Sequence, residues 1–225
     1  MNRVTYATLV QGTEEWLQAR RGLLTASNLG KHITPSTLKV ADNETSRTLT
    51  MQLAAERITG HVEYVHPTAD MQRGTDDEPF ARAVYAEHFA PVEEIGFVTL
   101  EQDGYTIGYS PDGFVGDEGL VEIKSRKPEK HIAHVLDGKP PVYNMAQMQA
   151  GMFITGRKWC DYISFSAGLP LWPHRVFPDP RWFSAIEAAA KTFEINVANI
   201  IRNFNTATVG LPATERRPEY EEIRL

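Results

Sequence analysis

The stretch from Ser110 to Lys124 constrains this chain most. It reads Ser110-Pro111-Asp112-Gly113 and then, eight residues after that glycine, Val121-Glu122-Ile123-Lys124. Pro-Asp-Gly is turn chemistry, because proline presets φ and glycine accepts backbone angles closed to other residues. In a strand, successive side chains face opposite ways. Glu122 and Lys124 therefore share one face, and Val121 and Ile123 the other. Phe114-Val115 and Leu120 to Lys124 form a strand pair about Gly116-Asp117-Glu118-Gly119. A carboxylate on the turn, a second on the strand and a nearby ammonium can hold a hard divalent cation and steady negative charge beside it. That is equipment for hydrolysing a phosphodiester. The same residues also fit a plain turn followed by the wet face of an edge strand, and this core alone does not choose between the two.

The rest of the chain predicts helices around such strands. Thr13 caps a short helix opening on Glu14-Glu15-Trp16 and ending at Gly22, and Thr25-Ala26-Ser27 starts another toward Ile33. Residues 34–43 read as a loop, and Ser46 to Thr59 as a helix closed by Gly60. From Met71 to Phe89, Phe80, Ala83, Val84 and Phe89 recur at helical spacing, with Glu78 early in that helix. Asp103-Gly104 joins strands Ile95 to Leu100 and Tyr105 to Tyr109 as a hairpin. Helices follow over Lys127 to Leu136 and Val142 to Ile154, then strands Trp159 to Ser166 and Leu171 to Phe177. Pro180 to Phe204 is a long helix whose packed face is Ile186, Ala189, Ala190, Phe193, Val197 and Ile200. The expected class is α/β or α+β, with one central mixed sheet flanked by helices. Residues 1–205 form a single domain, and residues 206–225 are a polar, proline-containing extension.

Composition removes several alternatives. No apolar run reaches the ~20 residues of a membrane span, and the N-terminus lacks a signal-peptide core. Cys160 is the single cysteine, which excludes an internal disulfide and any cluster or zinc site built on several thiolates. A reducing, cytoplasmic setting follows. The net charge of −6 weighs little against a nucleic-acid partner, since such a partner needs a local basic path and not a basic average. Arg20, Arg21 and Lys31 gather early, and Lys124, Arg126, Lys127 and Lys130 beside the motif; acids gather in the tail at Glu215, Glu219, Glu221 and Glu222.

Further blocks flank the motif in order. They are Trp16-x3-Arg20-x4-Thr25-Ala26-Ser27, Gly74-x3-Glu78, Ser110-Pro111-Asp112-Gly113, Glu122-x-Lys124 and Gln147-x-Gln149. Together they resemble the phage lambda-type exonuclease (YqaJ-type viral recombinase) family of the PD-(D/E)xK nuclease superfamily. The resemblance implies a restriction-endonuclease-like core and a magnesium-dependent 5′-to-3′ exonuclease on linear double-stranded DNA, with manganese a possible substitute. It implies a homotrimeric ring, a single-strand annealing protein as partner, and a phage or prophage gene in a bacterial host. Asp112, Glu122 and the Ile123 carbonyl would hold one magnesium, and Asp112 with Glu78 a second. Lys124 would orient the attacking water, and Gln147 would hold the lysine or substrate. Arg20, Thr25 and Ser27 would contact a 5′-phosphate, with Trp16 flanking that pocket.

Taken singly, each of these residues has a plainer reading. Glu78 suits a solvated helix start, Gln147 and Gln149 a helix surface, Trp16 a core, and Thr25 and Ser27 helix caps. His131, His134 and His174 show no zinc-like pairing. The chain departs from the family near Thr37, where an arginine is expected; Lys31 and Lys39 are the nearest cations, and lysine lacks the bidentate fork. Two further functions stay open: an endonuclease of the same fold, for restriction or junction cleavage, and a catalytically silent DNA-binding module.

Overall fold

The computed structural model describes residues 1–63 and 65–216. The helix-flanked mixed architecture is present, but the strands divide into two four-stranded mixed sheets instead of one. The first orders its strands β1-β5-β6-β2: β1 (Asn2–Tyr6), β5 (Phe97–Gln102), β6 (Tyr105–Tyr109) and β2 (Leu24–Thr25), with only β2 and β6 parallel. The second orders them β10-β9-β8-β7: β10 (Trp172–Val176), β9 (Trp159–Phe165), β8 (Gly119–Ser125) and β7 (Gly113–Val115), with β8 and β9 parallel. Ser110-Pro111-Asp112 is the step between the sheets, so the motif lies at their junction.

Helix α1 (Glu14–Arg20) is capped by the Thr13 side chain, as expected. Helix α2 (Ala26–Leu29) stops short of Ile33 because a 3-10 turn, Gly30–His32, follows it. The expected loop over 34–43 contains a small hairpin, β3 (Ile33–Thr34) with β4 (Lys39–Val40). Helix α3 (Glu44–Thr59) begins two residues early, since Asn43 and Ser46 make reciprocal capping bonds. Helices α5 (Pro128–Asp137), α6 (Val142–Thr155) and α7 (Pro180–Ala207) match their predicted positions. Strand β1, absent from the sequence reading, is exposed along its whole length, and its short Val4-Thr5-Tyr6 alternation buries no face. The extension expected from residue 206 overlaps α7, which runs through Ala207; residues 217–225, with Glu219, Glu221 and Glu222, lie outside the described residues.

Helix α4 (Ala69–His88) required a correction. Phe80 and Phe89 are exposed, and Ala81 and Tyr85 are the residues that pack. These two meet Val121, Ile123 and Ile163 on one face of the second sheet. On its other face Leu120 joins the larger core with Tyr109, Met148 and Phe193. Strand β8 is thus covered on both sides, and Glu122 with it, at 0% exposure. The Tyr85 hydroxyl donates to Asp161 at 2.6 Å, and Arg175 pairs with the same carboxylate at 2.8 Å, so the buried charge on β9 is satisfied.

Gly96, just before β5, lies under the Leu9 backbone: a β-carbon placed there would stand 1.8 Å from the Leu9 carbonyl oxygen. That oxygen belongs to main chain and cannot rotate away. Gly96→Ala is expected to cost at least about 1–3 kcal/mol, the scale of overpacking, read as a lower urea midpoint with an unchanged slope.

Candidate active site

The β7–β8 register explains how residues ten apart in sequence meet. Gly113 pairs with Val121, so one step outward Asp112 comes beside Glu122. The Asp112 carboxylate completes the approach by accepting from the Ile123 N–H at 2.6 Å. Lys124 Nζ lies 2.6 Å from Glu122 Oε1, and the Tyr109 hydroxyl donates to Oε2 of the same carboxylate at 3.0 Å. Glu78 arrives from α4 and pairs with Arg82, one helical turn on. Arg82 also donates to the Asp112 carbonyl at 2.9 Å and pairs with Glu94 at 2.7 Å. It therefore ties α4 to the motif turn.

The electrostatics of this cluster are severe. Burial, then the charges of Glu122 and Glu78, push the Asp112 carboxyl well above its usual range. Burial also raises Glu78, which Arg82 opposes and Glu122 reinforces. Burial works against the Lys124 ammonium, yet Glu122 and Asp112 overcome it and hold the group at about 12. The Tyr109 phenol, raised by its burial and by Glu122, stays a donor. Among the described residues no three acidic, histidine or cysteine side chains already form a metal cage; Arg82 holds Glu78, and Lys124 holds Glu122. The donors are nevertheless all oxygen, from carboxylates whose charges press on one another, and that set suits a hard cation such as magnesium.

Two cavities meet at this cluster. One, of about 440 Å³, is bordered by Asp112, Glu78, Ile123 and Lys124 and walled by Arg73, Arg126, Lys127 and Lys130. The other, of about 880 Å³, runs from Asp112 and Glu78 to Trp16, Arg20 and Thr25. There the Arg20 guanidinium lies 4.1 Å over the Trp16 ring, and burial lowers it to about 10 although Glu56 pulls it upward. Among the described residues Arg20 makes no ion pair; its side-chain bond goes to the Ser110 hydroxyl at 2.9 Å.

The structure thus gathers Trp16, Arg20, Thr25, Glu78, Asp112, Ile123 and Lys124 along two adjoining cavities that share Glu78 and Asp112, together the hollow of the site. Glu122 lies buried beneath it. Ser27 is exposed and touches the site only through Thr25, at 3.1 Å between hydroxyl oxygens. Gln147 borders neither cavity and makes no side-chain hydrogen bond among the described residues. Gln149 is buried and structural, bonding Phe177 and Asp179. Lys31 and Lys39 border neither cavity; on the larger one the cation besides Arg20 is Arg82. The reading by blocks missed Arg82, Tyr109 and the part played by Ser110, though the Glu78-x3-Arg82 spacing signals an intrahelical pair. His131 is buried, with both ring nitrogens bonded, to Ser164 and the Pro170 carbonyl, and Cys160 is buried and unpaired.

Comparison with known proteins places this geometry. The alkaline exonuclease LHK-Exo from Laribacter hongkongensis superposes with a TM-score of 0.78 at 34% identity, over 89% of this chain and 100% of that one. The structure of that enzyme in complex with dAMP gives 0.77 at the same identity and coverage. A phage-related exonuclease from Haemophilus somnus 129PT aligns with a TM-score of 0.63 over 81% of this chain and 96% of its own, but at 12% identity it speaks for the fold alone. No curated protein matches the chain. The YqaJ-like viral recombinase domain matches residues 15–158, which hold all the blocks from Trp16 to Gln149, and the chain belongs to that family.

Proposed function

We propose that this protein is a metal-dependent deoxyribonuclease that digests linear duplex DNA from its 5′ ends. It would leave 3′ single strands for a strand-annealing partner in phage-type recombination. The observation that carries this reading is the pair of adjoining cavities that share Glu78 and Asp112. A half-buried arginine that makes no ion pair among the described residues stands at one end, and clustered carboxylates with a charged lysine stand at the other. The Arg73, Arg126, Lys127 and Lys130 wall beyond the cluster offers cations to phosphates along the strand. A ring-shaped homotrimer and a phage or prophage origin belong to the same reading.

Asp112, Glu122 and the Ile123 carbonyl would hold one magnesium, and Glu78 with Asp112 would hold another. When bound, such cations polarise the phosphate and lower the pKa of a bound water. The chain's own residues do the rest. Lys124 keeps its proton at neutral pH and presents positive charge where the scissile phosphate gains negative charge. Tyr109 fixes the rotation of Glu122. Arg20 and Thr25 grip the terminal phosphate, and Trp16 backs the guanidinium. An endonuclease of the same fold would not need such an end pocket. End-labelled linear duplex should shorten from its 5′ strands while closed circular duplex survives; cleavage of the circle would favour the endonuclease.

Excess EDTA is expected to abolish cleavage, magnesium or manganese to restore it, and calcium to support DNA binding without cleavage. Full activity in EDTA would refute the metal assignment. Lys124→Ala should still bind DNA in a mobility-shift assay but cut at least ~100-fold more slowly, the scale for removing a charge-stabilising donor; a variant within a few-fold of the parent would demote the lysine to a surface residue. Ends bearing 5′-phosphate should be digested faster than 5′-hydroxyl ends. Arg20→Ala should shrink that preference, and Asp112→Asn should stop cleavage of both. If Arg20→Ala merely weakens all DNA binding, the arginine is a general backbone contact.

A further inference from the structure

Of the four cations that wall the smaller cavity, Arg126 is the one held in place without an acid. Arg73 pairs with Asp70, and Lys127 and Lys130 are exposed at the start of α5. Arg126 stands two residues beyond Lys124, where its own N–H donates to the Phe165 carbonyl at 2.8 Å. Its Nη2 donates to the side chain of buried Asn144 on α6 at 2.8 Å and to the Tyr162 hydroxyl on β9 at 3.4 Å. Both partners are neutral. A guanidinium has five N–H donors. Among the described residues Nε and Nη1 have no acceptor, and the side chain makes no ion pair.

Beside this cation lies a largely uncovered ring. Tyr143, in the first turn of α6, is 63% exposed, and the Arg126 Cζ is 5.7 Å from its ring centroid. A lone exposed aromatic is ordinary on a protein surface. This one is set against a restrained guanidinium whose cavity also carries Lys124 and reaches Asp112 and Glu78. Pro140 and Pro141 precede the helix and restrict the chain that leads into it. A cationic path with an uncovered ring along it suits nucleic acid whose bases are unpaired: the cations take phosphates and the ring takes the face of a base. A base inside a duplex is stacked on both sides by its neighbours and has no face to offer. Val142 and Leu136 are exposed nearby in sequence, and a protein partner would also fit them, but Arg126 and the basic wall favour a polyanion.

We propose that Tyr143 and Arg126 form a single-strand binding site at the edge of the smaller cavity, Tyr143 stacking one unpaired base and Arg126 holding a neighbouring phosphate. The ligand is single-stranded DNA, the kind of product the nuclease reading above leaves, and the choice of DNA rests on that reading.

The test measures, by anisotropy, the binding of a short fluorescein-labelled oligothymidine and of a blunt duplex to the full-length protein. Calcium replaces magnesium, and the salt concentration is varied. The parent should bind both. Tyr143→Ala and Tyr143→Leu should weaken single-strand binding about tenfold, within the range for one stacked base. Their salt slope should stay that of the parent, because stacking on a neutral ring releases no counterion. Tyr143→Phe, which keeps the ring, should bind as the parent does. Arg126→Gln, which can keep a bond to Asn144, should reduce the slope of log K against log salt by about 0.7, the share of one phosphate on a single strand. Parent-like binding of the oligothymidine by Tyr143→Ala would overturn the proposal. So would parent-like binding by Tyr143→Leu, since any apolar side chain would then serve, and so would an unchanged slope in Arg126→Gln. A lower sedimentation mass in Tyr143→Ala would overturn it too, by assigning the ring to an interface between proteins. A parent that binds duplex but not oligothymidine would overturn this proposal alone; a parent that binds neither would take the nuclease reading with it.

Discussion

The bond from the Ile123 N–H to the Asp112 carboxylate is the constraint on which the site depends. It draws a turn acid onto the backbone of a strand already covered on both faces, beside Glu122 at 0% exposure. Bringing acids together out of water is costly, several kcal/mol per unpaired ion. The fold meets that cost with specific partners: Lys124 and Tyr109 on Glu122, Arg82 on Glu78, and the strand amide on Asp112. Each is also a geometric restraint. Glu78 and Glu122 are answered within their own elements, by Arg82 and Lys124, while Tyr109 from β6 and the Arg82 bond to the Asp112 carbonyl tie those elements together.

The supporting residues are as local as the acids are dispersed. Gly151 on α6 leaves room for the Tyr109 ring, which a β-carbon there would meet at 2.8 Å. That small position allows β6 to reach across and bond a glutamate on the other sheet. Arg82 joins Glu78, Glu94 and the Asp112 carbonyl, fastening α4 to the turn that carries the motif. The junction of the two sheets is held by these side chains together with an isolated backbone bridge between Glu93 and Phe114, and the larger cavity opens along that seam.

Local chemistry was legible in the sequence, and long-range partnership was not. Asp103-Gly104, with φ of 33° and 86°, turns the β5–β6 hairpin as its composition announces, and Gly60, Gly138 and Gly156 end their helices in the left-handed region. The alternation of Val121-Glu122-Ile123-Lys124 sorted the faces of β8 correctly, because a strand's period is fixed by its backbone. Helix α4 misled for the opposite reason. It packs on a narrow strip through Ala81 and Tyr85, while Phe80 and Phe89 point outward, so the largest apolar residues did not mark the buried face. Strand β1 is marked by its pairing with β5, since Val4 and Tyr6 alone are too short an alternation and stay exposed. Among the site residues, block order led to those that share the hollow, whereas Gln147 had only block order behind it and lies away from both cavities.

Charge shows the same division between average and place. The chain is acidic overall, yet the wall beyond the carboxylates carries Arg73, Arg126, Lys127 and Lys130, and the other end of the hollow carries Arg20. A polyanion threaded along such a path meets cations on either side of a short acidic stretch. With its carboxylates answered only from within the protein, that stretch would oppose a phosphate more than the cationic walls on either side of it. A hard cation bound there would reverse the local sign, so metal binding and phosphate binding favour each other at the seam. If the site takes such a cation, as proposed above, its negative charge would hold an unloaded enzyme off its substrate, and the residues that serve hydrolysis would also withhold it until the metal is present.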